Sequence, residues 1–286
     1  MIRSSGRLTI LFCLLLLLLV LSNQGEIPDP RYPIIVYGSI ISFQFVLIQI
    51  RKGNPVLTIS RDIIFPVISV FIIFDSLEGI VHNINPHDID YILIRLDYWI
   101  FNNYPGLVVE RIENPFLTEV LQIAYLSYYF LPITLGVLLK IKRDEKGFDK
   151  SLFMILLCFY LSYIGYILFP ALGPRYSMNH LYSGELEGLF LFDHIQRILN
   201  HLEGIKRDAF PSGHTAIALT VLVLAYRYHR GFFYVTLPVV VMLVFSTIYC
   251  RYHYVVDVLG GIVLTILTFL IGQWVYGTKK QENTYN

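Results

Sequence analysis

A chain of 286 residues, 55% hydrophobic and only 15% charged, with a mean hydropathy of +0.59, is too apolar for a water-soluble domain and is expected to be an integral membrane protein. Its 22 basic and 21 acidic side chains leave a net charge of +1, which excludes the basic field that nucleic-acid binding requires. Three cysteines, Cys13, Cys158 and Cys250, lie in or beside apolar runs and are too few for a disulfide framework or a Cys-based zinc site, so they read as packing residues.

A hydrocarbon core about 30 Å thick needs roughly 20 helical residues. Eight apolar runs approach that length, at 8–22, 33–50, 62–81, 119–140, 150–169, 213–230, 232–249 and 254–276. The first has Arg3 and Arg7 ahead of a Leu-rich stretch and Ser22-Asn23-Gln24-Gly25 behind it, so it is either a span or a cleaved signal peptide. Between the third and fourth runs, Asp88, Asp90, Arg95 and Asp97 alternate with Ile92, Leu93, Leu96, Trp99 and Ile100, a pattern that predicts a helix lying flat in the interface over 87–111. The connection 177–208 is polar and mixed, with Glu185, Glu187, Asp193, Arg197, Lys206 and Arg207, and is long enough for a lid.

Lys and Arg in short loops mark the cytoplasmic side. They concentrate at Arg51, Lys52 and Arg61, between Lys140 and Lys150, at Arg227 and Arg230, and in the tail at Lys279 and Lys280. With eight spans, all these segments fall on one side together with Arg3 and Arg7. The stretches 82–118 and 170–212 and the turn around Arg251 fall on the other, facing periplasm, lumen or exterior.

The reactive residues lie on that second side. Phe210-Pro211-Ser212-Gly213-His214 precedes one apolar run, and Arg251-Tyr252-His253-Tyr254-Val255-Val256-Asp257 opens another about forty residues later. A helical hairpin between them brings two histidines to one bilayer face. His253 and Asp257, four apart, share a helical face, so the carboxylate can accept from one ring nitrogen while the other attacks phosphorus. Pro211 suits a helix start whose free N–H groups, near Ser212 and Gly213, would meet an anion. His214 is placed to protonate a leaving group, and Arg175 and Arg251 offer planar forks for phosphate. Lys206 and Arg207 either add to that binding or form a solvated charge cluster with Asp208.

These residues resemble the type 2 phosphatidic acid phosphatase superfamily, and most closely its inositol phosphorylceramide synthase-like, inositolphosphotransferase branch. The family's motifs run K-x6-R-P, P-S-G-H and S-R-x5-H-x3-D. Pro211 to His214 match the second in full. Ser246, His253 and Asp257 match the third, with Thr247 at its arginine position and Arg251 as the substitute. In the first, Leu168 replaces the lysine and the order reads Pro174-Arg175.

The resemblance implies an all-α polytopic bundle with a six-helix core over 60–276, two added apolar segments within 1–59 and a cytoplasmic tail at 277–286. It also implies a phosphohistidine on His253, with His214 as the acid, Asp257 as the orienter and no metal or other cofactor. The implied substrate is a phospholipid, sphingolipid or polyprenyl phosphate. Water as acceptor makes the enzyme a phosphatase, and a lipid or sugar alcohol makes it a phosphotransferase of the inositol phosphorylceramide synthase type.

Asp75, Glu78 and His82 lie three and four residues apart at the outer end of the third run, where acids are costly. They are expected either to shape the headgroup or acceptor pocket or to pair with a buried arginine. A third function class, a transporter using Asp75, Glu78 and the histidines as an ion relay, would need discontinuous helices in two related halves. The sequence shows no such halves.

Overall fold

The computed structural model describes residues 3–48, 55–202 and 207–282. The predicted runs fold as helices. Ser4–Ser22 (α1) and Arg31–Ile48 (α2) form the first pair. Pro55–Ile59 (α3) and Phe65–Ile84 (α4) are joined through a π-helical turn at Ser60–Ile64. Pro66 lacks the N–H that would bond the Asp62 carbonyl, and the ladder loosens just ahead of it.

The stretch predicted as a single helix over 87–111 forms two, Asp90–Phe101 (α5) and Pro105–Glu110 (α6). Asp90, Leu93 and Asp97 form the buried face of α5, while Tyr91, Ile92 and Trp99 are exposed.

The run predicted as one span over 119–140 is broken. Pro115–Leu126 (α7) gives way to a 3-10 turn at Ser127–Tyr129, then to Leu131–Ile141 (α8), and the two helices are bent by 53°. Pro132 cannot bond back to Tyr128, so the first helix cannot run on. Asn114 caps α7 by accepting from the Leu117 N–H at 3.0 Å.

Glu145–Leu168 (α9), capped by Asp144, is the central helix. A short turn, Pro174–Ser177 (α10), leads through the 3-10 turn Asn179–Leu181 to Phe192–Leu202 (α11). Gly213–Tyr228 (α12), Arg230–Tyr249 (α13) and Val255–Glu282 (α14) complete the bundle. Residues 277–282, expected as a tail, continue α14.

Among the described residues five helices are long and apolar enough to cross a membrane, and the bent α7–α8 pair, taken as one span, makes a sixth. That is fewer than the eight expected. At 16 residues, or about 24 Å, α12 falls short of a full hydrocarbon crossing. No regular strand occurs among the described residues, only an isolated bridge between Ala171 and Asp208.

Two cores share α9. One joins it to α8, α12, α13 and α14 through Leu135, Met154, Val221 and Leu243. The other joins it to α1, α2 and α4 through Phe12, Tyr37, Ile73 and Tyr160. Phe12 stacks on Tyr160 at 4.4 Å, and Thr9 Oγ1 lies 2.9 Å from the same tyrosine's hydroxyl. The first helix is thus packed into the bundle.

Charges separate to opposite ends. At one end, buried Asp62 accepts Lys140 at 2.7 Å, Arg61 at 2.8 Å and Arg3 at 3.1 Å, and Lys140 also holds Glu145. At the other, backbone bonds tie Ile89 to Pro170, Ala209 to Ala171 and Arg175 to Arg251, gathering the ends of α4, α9 and α13 with the start of α12. Arg51 and Lys52 lie outside the described residues.

Candidate active site

The geometry at the second end starts from the opening of α12. Ser212 is its N-cap: the side chain accepts from the Thr215 N–H at 3.3 Å, while its own N–H donates to the Asp257 carbonyl at 3.0 Å. Pro211 therefore precedes the cap and does not occupy the first helical position, a correction to the expected register. Gly213 lies directly under the Tyr166 hydroxyl of α9, where any Cβ would collide. A side chain here would force that hydroxyl, the far end of Tyr166, to move.

His253 sits in the tight turn between α13 and α14, where Arg251 adopts a left-handed φ of 63° and the Thr247 carbonyl accepts both the Tyr252 and His253 N–H groups. His253 Nδ1 lies 2.8 Å from the Ala209 carbonyl, which can only accept. That contact puts the ring proton on Nδ1 and leaves Nε2 with its lone pair. Nε2 stands 3.4 Å from His214 Nδ1. The two histidines are brought together, and both are buried. Burial pushes the His253 pKa down to about 4, partly opposed by Asp208 and the Ala209 carbonyl, so the ring is neutral at physiological pH.

Asp257 lies on the Nδ1 side of His253, as its spacing predicts, but is not the nearest acceptor there. Its Oδ2 is 3.4 Å from His253 Nδ1, beyond an ordinary N–H···O bond, and instead accepts the Tyr254 N–H at 2.8 Å. Its Oδ1 has no partner among the described residues. The carbonyl of Ala209 is the closer orienter.

Several contributors were missed from the sequence. His214 packs between Tyr125 and Tyr128, with ring centroids at 4.4 and 4.2 Å, and Tyr252 stacks on Tyr125 in turn. Asp97 caps α14 by accepting from Val255 and Val256 at 3.0 and 2.9 Å. Asp90 accepts from Leu172, Gly173 and the Tyr254 hydroxyl. Their signal was present: Asp90, Leu93 and Asp97 share a helical face, which turns inward.

The two arginines differ. Arg251, expected to grip phosphate, is 5% exposed and has its terminal nitrogens occupied. It donates to Glu113 at 2.9 Å and to the Gly184 carbonyl at 2.7 Å, with Glu110 at 3.5 Å and the Tyr182 ring 3.9 Å below. Glu110 and Glu113, three residues apart at the end of α6, neutralise the fork. Arg175 meets only neutral groups in its described contacts, Asn200 at 2.9 Å and, after an amide flip, Gln196, with Tyr252 beneath it at 5.8 Å.

Arg207 pairs with Asp88 at 2.8 Å, and Lys206 lies outside the described residues. Asp75, Glu78 and His82 lie on the exposed face of α4, Asp75 accepting from Tyr32 at 3.1 Å. They do not line the cavity beside His214, which α4 faces through Val70, Phe71 and Phe74. Among the described residues none of the three forms an ion pair with an arginine. Among the described residues no cluster of three His, Cys, Asp or Glu side chains is arranged to hold a metal.

Residues 92–271 match the family model described as the PAP2 superfamily. A PA-phosphatase related-family protein of Dictyostelium discoideum is 27% identical over 176 residues, covering 54% of this chain and 32% of that protein. Phosphoinositol dihydroceramide synthase of Bacteroides thetaiotaomicron is 30% identical over 171 residues, 55% of each chain. Inositol phosphorylceramide synthase of Candida albicans is 28% identical over 142 residues, covering 44% and 30%. The matches span from about a third to about half the length of these curated relatives. No solved structure matches.

Proposed function

The chain belongs to the PAP2 superfamily, and on that footing we propose that it transfers a phosphate-linked headgroup from a membrane lipid to an alcohol through a phosphohistidine on His253. The observation that carries this reading is the 3.4 Å approach of His253 Nε2 to His214 Nδ1, with His253 Nδ1 bound to Ala209.

In the first step Nε2 of neutral His253 attacks phosphorus, a P–N bond forms, and the P–O bond to the lipid alcohol breaks. His214, whose pKa burial also pushes down, takes up a proton as the phosphate anion binds beside it and gives that proton to the leaving oxygen. In the second step His214 takes the proton of the acceptor hydroxyl, whose oxygen displaces the histidine from phosphorus. The N-terminal end of α12 and the guanidinium of Arg175 balance the charge on the phosphoryl oxygens. Asp257 offsets the positive charge that His253 carries in the intermediate. These steps use only groups of this chain.

An alcohol acceptor is favoured over water by the burial of both imidazoles and by the apolar cavity that opens beside His214. Two of the named relatives, a phosphoinositol dihydroceramide synthase and an inositol phosphorylceramide synthase, support a sphingoid lipid as that alcohol. The phosphatase reading is supported by the name of the Dictyostelium relative. We place the site on the extracytoplasmic side, because the basic cluster around Asp62 lies at the opposite end. Among the described residues no hydrogen-bonded relay joins Asp75 and Glu78 to the histidines, so a transporter is not favoured.

The test is to incubate the purified protein in liposomes with phosphate-labelled phospholipids, with and without a ceramide or diacylglycerol acceptor. A labelled new lipid that requires the acceptor is expected. A labelled water-soluble phosphate, free or still carrying its headgroup, in place of a new lipid would replace transfer by hydrolysis, and no product from any donor would end the proposal.

A further inference from the structure

A cavity of about 110 Å³ runs between α4, α8 and α9, with His214 and Asp208 among its lining residues at one end and Asp62 and Phe148 at the other. Along α9 its wall is one stripe from Phe148 to Tyr166, roughly 27 Å of helix and close to the full hydrocarbon thickness. Between the ends the lining is mostly apolar, with Phe71, Phe74, Ile133, Ile155 and Phe159. The far end is closed by charge, since Asp62 is held there by Arg3, Arg61 and Lys140.

We propose that this cavity holds one alkyl chain of the lipid substrate, and that Gly136 and Phe148, near the charged floor, set the longest chain admitted. The inference rests on the transfer reading above and adds its tail specificity. Continuity with His214 identifies the occupant, because a phosphoester seated at the histidines places its own tail at the cavity mouth.

A tail gains little by leaving lipid for another apolar wall, so the cavity selects by exclusion more than by affinity. An overlong chain must either buckle or reach the Asp62 ion pairs, where an alkyl group would strip charges of their partners. Gly136 is the point of control: a Cβ there would meet Phe148 at 3.5 Å, an ordinary contact, so alanine fits. A leucine would extend further into the cavity and shorten it.

The experiment compares short-tailed and long-tailed versions of one donor on the full chain in liposomes. In Gly136→Leu the long-to-short turnover ratio is expected to fall about tenfold or more, a steric discrimination of the size pockets achieve. In Val137→Leu, on the more exposed side of the same helix, the ratio should stay at the wild-type value. A Gly136→Leu ratio equal to wild type overturns the ruler.

A donor with a photoreactive group at the end of its tail gives a readout independent of turnover. Cross-links within residues 132–152 support the cavity, and cross-links confined to lipid-facing positions such as Trp274 overturn it. Cross-linking in the cavity without product from any donor would keep the tail site and sink the reaction.

Discussion

The carbonyl of Ala209 accepts from Nδ1 of His253 at 2.8 Å, a shorter contact than the 3.4 Å that separates the same nitrogen from Asp257. A backbone carbonyl cannot donate, so the tautomer that frees Nε2 survives changes at Asp257. Where a carboxylate alone fixes the tautomer, an amide replacement is severe. Here Asp257→Asn is expected to lower kcat by about a hundredfold or less, against about a thousandfold or more for His253→Ala or His214→Ala. Initial rates on folded, size-excluded protein check the order, and an Asp257→Asn loss equal to that of His253→Ala would restore Asp257 as the orienter.

Burial holds the His253 pKa near 4, below the ordinary histidine value of about 6.5. The free enzyme should therefore keep its nucleophile unprotonated in mildly acidic buffer. The acid limb of kcat/KM that belongs to His253 is expected nearer pH 4 than pH 6.5. For stability the sign is that of a depressed group: its contribution is present above the unfolded value and is lost as pH falls toward 4. A kcat/KM profile at fixed ionic strength, with thermal melts alongside, separates the two effects.

Arg251 and Glu113 form a largely buried ion pair that braces the turn carrying His253. Arg251→Ala leaves Glu113 and Glu110 without their cation, which should cost about 3 kcal/mol or more in stability. Glu113→Gln retains an acceptor and should cost less. Melting in detergent is the measurement. If Arg251 instead bound the headgroup, Arg251→Ala would raise KM while leaving the melting temperature unchanged.

Gly213→Ala should displace the start of α12 through the Tyr166 hydroxyl and lower activity about tenfold. Removing that hydroxyl in Gly213→Ala/Tyr166→Phe should recover part of the loss. Equal activity in the single and double variants would show that the collision is not the cause.

What the sequence revealed about this site depended on distance along the chain. The P-S-G-H stretch and the H-x3-D stretch are local patterns, and the apolar runs behind each predict the helices that bring His214 and His253 together. The partners of Arg251 were hidden because Glu113 is 138 residues away, and no local spacing reports such a pair. Spacing showed that Asp75, Glu78 and His82 share a face, but not that α4 turns Phe71 and Phe74 inward and those acids outward. Pro132 was the visible sign of the α7–α8 bend, although the hydrophobicity around it is continuous. Ala209 could not be found from residue type at all, because its carbonyl does the work.

The central claim is covalent attachment of phosphorus to His253. Purified protein mixed with a phosphate-labelled donor, quenched in alkali and digested, should yield one labelled peptide carrying the label on His253, stable to base and released by acid. The label should be absent from His253→Ala. Label retained in that variant, carried on another residue, or never formed while product accumulates would contradict the account.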